Sequence, residues 1–174
     1  MNRSGAVVLF LATATLAGAS AACDPVKSDA IAALGDDAPG VRNGPLHRPG
    51  QPCTLCHDGQ IGDPSAFSVA GTLYETPSDA GAAVGATVSL VDSVDSGYQA
   101  TTNQAGNFYV TPGQWAPTFP IVRAVIASAG GGTVVTMQSD IGRNGACATC
   151  HFEPAGLDSP GHVYLALPDG GTPP

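Results

Sequence analysis

The chain has 174 residues, about the length of one ordinary domain. Apolar residues make up 43% and charged residues only 11%, which excludes a disordered, highly charged chain, while a formal charge of −8 argues against nucleic acid as a partner. Gly (23) and Pro (15) punctuate the backbone so often that short strands joined by turns are expected rather than a helix bundle.

Residues 1–22 read as a cleaved export signal. Arg3 supplies the positive start, Ala6 to Ala17 is an apolar run too short to span a bilayer, and small residues follow up to Cys23. The expected location is the periplasm or the outer surface of a bacterial cell. Two processing routes stay open. Ala19-Ser20-Ala21 fits an ordinary cleavage site, whereas Ala21-Ala22-Cys23 is similar to a bacterial lipobox that would lipidate Cys23. Ser20 departs from the aliphatic residue usual in that pattern. A lipid on Cys23 would be the only membrane attachment, and residues 23–44, rich in Asp, Gly and Pro, would form a tether. Within it, Ser28 is expected to cap a brief helix running to Leu34 and stopped at Gly35.

Residues 45–65 carry Cys53-Thr54-Leu55-Cys56-His57, and residues 139–174 carry a second copy, Cys147-Ala148-Thr149-Cys150-His151. Two thiols separated by two residues can each bond a vinyl group on one porphyrin edge, and the histidine that follows can reach the iron. This is the c-type haem attachment signature. The competing readings are a structural zinc, a thioredoxin-like redox pair and disulfides. Zinc hooks commonly lie 15–20 residues apart, whereas about ninety separate these pairs, and a thioredoxin-like pair needs a βαβ setting. Two covalent haems c are therefore expected on Cys53, Cys56, Cys147 and Cys150.

The chain has four histidines for four axial iron positions. His57 and His151 are the proximal ligands, which leaves His47 and His162 as the distal candidates. Six residues separate His47 from Cys53 and eleven separate His151 from His162, reaches of roughly 20 Å and 37 Å when extended. Which distal histidine serves which haem, within one molecule or between two, is open. Met137 is the alternative thioether ligand. With both irons saturated the haems would be low-spin and low in potential, suited to electron transfer rather than to catalysis on peroxide, oxygen or nitrite. Asp58, Glu153 and Asp158 lie near the motifs and are read as solvated surface.

Residues 66–138 read as six short strands: Phe67–Tyr74, Ala86–Val91, Tyr98–Thr102, Asn107–Val110, Ile121–Ala127 and Thr133–Gln138. Asn103-Gln104-Ala105-Gly106 is expected to be a hairpin turn between the third and fourth. Val163 to Leu167 would add a last strand. Trp115 and Tyr109 are assigned to the core, with porphyrin contact as the alternative. The fold class is mainly β: a small antiparallel sandwich with irregular haem-binding loops at one end.

Two resemblances follow. Val69-Ala70-Gly71-Thr72-Leu73, Val84 to Leu90 and Thr102 to Phe108 resemble the carboxypeptidase regulatory-like domain, also called transthyretin-like, which implies an accessory β-sandwich without catalytic residues. Around it, the two motifs make the chain similar to multihaem c-type cytochromes. That likeness implies electron exchange with redox partner proteins, other cytochromes among them. A filament built from copies of the chain, and an adhesion module with structural or sensory haem, are the alternatives.

Overall fold

Alternation of apolar and polar residues puts one face of each central strand into a core. The computed structural model describes residues 25–37, 43–59, 65–77 and 81–166. Its strands are β1 (Val69–Tyr74), β2 (Thr87–Asp92), β3 (Gly97–Thr101), β4 (Asn107–Val110), β5 (Ile121–Ala127), β6 (Val134–Thr136) and β7 (Val163–Tyr164). They form a mainly β sandwich of two sheets, ordered β4-β1-β7 and β3-β2-β5-β6. Val69, Leu73, Phe108 and Val110 from the first sheet meet Val88, Leu90, Ile121 and Ile126 from the second, and all are buried. Trp115 joins this core, its indole N–H donating to Ser96 Oγ at 3.0 Å.

The six strands expected in residues 66–138 form close to their expected bounds, but the pairing differs from expectation at one turn. Residues 103–106 do not close a hairpin. β3 pairs with β2 while β4 pairs with β1, so this turn carries the chain from one sheet to the other. Asn103 holds it by accepting at Oδ1 from the N–H groups of Ala105 and Asn107. Asn and Gly suit any tight turn, so they announce the reversal and not the partner. β7 pairs parallel with β1, Leu73 opposite Val163, so the segment after the second motif completes the first sheet.

β1 is buried along its whole length. One face looks into the core, and the other is covered by the segment that precedes the first motif. Gly50 N–H donates to Thr72 Oγ1 at 2.8 Å, and the Thr72 hydroxyl donates to Asn107 Oδ1 at 2.7 Å. Asn107 Nδ2 in turn donates to the His47 carbonyl at 3.1 Å. Tyr109, on the same outer face of β4, is 41% exposed and lies at the motif, outside the core to which it was assigned.

The helix expected within residues 23–44 is α1 (Pro25–Ala33), and it begins four residues before the Asp29 start that a Ser28 cap implies. Pro25 fits a first helical position, so Ser28 sits within the helix and does not cap it. Gly35 ends it with φ +71°, as expected. Residues 1–22, Cys23 and Leu167 lie outside the described residues. Among the described residues no helix is long and apolar enough to cross a membrane.

Candidate functional site

Both motifs fold into the same backbone turn from unrelated flanks. Pro52 opens the single-turn helix α2 (Cys53–Cys56), and His57 N–H donates to the Cys53 carbonyl at 3.0 Å. The second copy forms a 3-10 turn (Cys147–Thr149), in which His151 N–H donates to the Cys147 carbonyl at 2.9 Å. Each motif thus sets its two cysteines and the following histidine on one turn of backbone, and the four motif cysteines are unpaired thiols.

The two turns lie against the same strand. Both α2 and the 3-10 turn contact β1, and Ala146 bridges to Ala70. Cys147 fills the space over Gly71, where an added Cβ would stand 2.5 Å from its sulfur. Burial pushes the Cys147 thiol up to about 12, and the nearby Cys53 pushes it the same way. Burial likewise raises Cys53, with Cys56 adding to the effect.

Three of the four imidazoles are oriented by backbone carbonyls. A carbonyl can only accept, so each ring nitrogen facing one carries the proton. His57 Nδ1 donates to the Ser65 carbonyl at 3.0 Å, His151 Nδ1 to the Gly161 carbonyl at 3.1 Å, and His47 Nδ1 to the Gly44 carbonyl. In the neutral ring that tautomer carries its lone pair on Nε2, the form a metal requires.

The rings of His47 and His57 lie with centroids 5.8 Å apart and planes 54° from each other. Two imidazoles bonded to one metal at about 2 Å each would have centroids roughly 6 Å apart. Around this pair opens a cavity of about 570 Å³ lined by Cys53, Cys56, His47, His57, Phe67 and Tyr109. Its size lies within the range of roughly 300–1,000 Å³ common for cofactor sites. A larger cavity of about 720 Å³ is bordered by Lys27, Leu55, Arg143 and Thr149 and has no cysteine or histidine in its lining. The residues at the first motif fit a haem, and the larger cavity does not present its ligands.

His162 lies on the outer face of β1, stacked on Tyr74 at 4.7 Å, one residue beyond the carbonyl that orients His151. Its Nε2 would stand 3.2 Å from a Cβ built on Gly50, whose φ of +78° also demands glycine. The loop of the first motif thus touches the distal candidate carried by the second segment. Met137 packs against the sandwich core. Asp58 pairs with Lys27, Glu153 accepts from Ala155 N–H at 3.1 Å, and Asp158 is exposed. Among the described residues no three His, Cys, Asp or Glu side chains converge on one point, as a tetrahedral zinc would require.

One residue beside the candidate site escaped the sequence reading. Phe67 stacks on His57 at 4.3 Å and on Tyr109 at 4.9 Å. Ten residues separate Phe67 from His57, a spacing with no periodic signature. No family model, curated protein or solved structure matches the chain.

Proposed function

We propose that the chain is an exported dihaem c-type cytochrome that transfers electrons. Cys53, Cys56, Cys147 and Cys150 hold the two haems, His57 and His151 are the proximal ligands, and His47 and His162 the distal ones. The observation that carries this reading is the His47–His57 pair, 5.8 Å apart over a cavity bordered by Cys53 and Cys56. When bound, each haem supplies an iron that gains and loses one electron, at a potential kept low by two imidazoles.

The chain's own residues do the positioning. The Gly44, Ser65 and Gly161 carbonyls hold the Nδ1 protons of His47, His57 and His151, so each Nε2 keeps its lone pair for a metal. Thr72 and Asn107 tie the first segment to the sheet. Both motif turns pack on β1, which favours a short path between the two porphyrin edges. In the same reading the sandwich is a carboxypeptidase regulatory-like module that gathers both motifs on β1. Residues 1–22 direct export to the periplasm or cell surface, and Cys23 offers a lipid anchor. The net charge of −8 favours cationic surfaces on redox partners, other cytochromes among them.

A second reading makes the chain one unit of a cytochrome filament. What favours it is the second motif's surroundings, where Cys150 is exposed, Phe152 is 37% exposed and Leu157 projects fully into solvent. Electron microscopy of the secreted material separates the two, a filament showing copies joined through this surface and the soluble carrier showing single particles.

The reduced-minus-oxidised spectrum with and without carbon monoxide tests the main reading. Two low-spin haems that ignore carbon monoxide are expected. Rapid carbon monoxide binding at both would overturn the saturated-ligand assignment and with it the electron-carrier role.

A further inference from the structure

Phe67 lies between the sandwich and the first motif and meets His57 through both its backbone and its ring. Its N–H donates to the His57 carbonyl at 2.9 Å, and its ring lies on the imidazole with planes 22° apart. Two residues earlier, the Ser65 carbonyl accepts from His57 Nδ1. One residue later, Ser68 is locked to the sandwich rim. Its N–H and hydroxyl both donate to the Val110 carbonyl, and the hydroxyl also approaches the Trp115 carbonyl at 2.7 Å. On its far face Phe67 is backed by Tyr109 of β4, planes 19° apart.

An imidazole bonded to a metal through Nε2 keeps one rotation, about the metal–nitrogen bond. A hydrogen bond at Nδ1 restricts it, and an aromatic ring laid on its face restricts it further. We propose that the Tyr109–Phe67 stack sets the rotation of the His57 ring, and so holds the 54° between the His47 and His57 planes. Phe67 and Tyr109 are positioning residues for the first haem's axial ligand, and through them the sandwich rim reaches the redox centre. The inference rests on His57 being an iron ligand.

The angle between two axial imidazole planes sets the anisotropy of a low-spin ferric haem. Near-parallel planes give a rhombic electron paramagnetic resonance spectrum, and near-perpendicular planes give a strongly axial one with a single prominent low-field feature. The test is that spectrum, recorded on the haem-loaded full chain carrying F67L, Y109L or F67Y, with haem content measured beside it. In F67L one of the two low-spin signals moves or broadens while the other stays. Y109L, altered at an exposed position, moves the same signal less and carries the test alone should F67L not accumulate. F67Y, which keeps a stacking ring, retains the original signal.

The inference is overturned if neither F67L nor Y109L moves a signal, or if both signals move together as a general disturbance would make them. Wild-type chain without haem would overturn the cytochrome reading, and this inference with it. Haem-loaded chain whose signals ignore the substitutions would overturn the inference alone.

Discussion

Asp92 ends β2 with 1% exposure, at the point where the register against β5 shifts. Its carboxylate accepts from the N–H groups of Val94 at 3.0 Å, Ser96 at 2.8 Å and Thr118 at 2.8 Å. Burial raises its pKa, the three N–H groups lower it, and the net shift is downward. The folded value therefore lies below the unfolded one of about 3.9. The stabilisation is present above that value and is lost as pH falls through the folded one. Thermal melts of the wild type should lose stability below about pH 4, and D92N should melt lower at neutral pH with a flatter acid limb. Gly71 makes a second residue-scale prediction. An added methyl would meet the Cys147 sulfur at 2.5 Å and Phe108 at 3.0 Å, so G71A should cost about 1–3 kcal/mol in urea unfolding. G113A, with nothing within 4 Å of the added methyl, serves as the near-neutral control.

At the scale of elements, the segment before the first motif is held to β1 and β4 by hydrogen bonds rather than by apolar contact. T72V keeps the shape but removes both bonds, leaving Gly50 N–H and Asn107 Oδ1 without this partner. A loss of about 1–3 kcal/mol is expected, with faster amide exchange at Gly50 than elsewhere in the sheet. The strands themselves were legible in the sequence, because alternation of Val, Leu and Ile with small polar residues reports a half-buried strand wherever it pairs. The sheet each strand joins was not. Asn103 to Gly106 signals a reversal equally well within a sheet or between two, and β7 has only two residues to declare its partner. The α1 start was misplaced for a similar reason: a serine near a helix start signals a cap only when no proline precedes it.

Across the whole molecule, one strand gathers what the sequence keeps about ninety residues apart, since both motif turns pack on β1. The two motif turns were readable because Cys-x-x-Cys-His is a fixed local spacing that closes one turn of backbone. The closeness of His47 to His57 was readable only as reach, since no rule of spacing sets how a proline- and glycine-rich connector folds back. Phe67 was read only as a strand residue and Tyr109 chiefly as core, because the stack they form on His57 arises where the rim of the sandwich meets the loop. H47A should leave one iron with an open position. The expected outcome is carbon monoxide binding at one haem and none at the other, read from the reduced difference spectrum.

The central claim is that two porphyrins are bonded through their edges to the two cysteine pairs. The most direct measurement is the intact mass of the purified protein under denaturing conditions, read together with its pyridine haemochrome spectrum. The account predicts a polypeptide heavier by two haems, with the pigment surviving acid acetone. A mass equal to the polypeptide alone, or pigment lost to acid acetone, would contradict it.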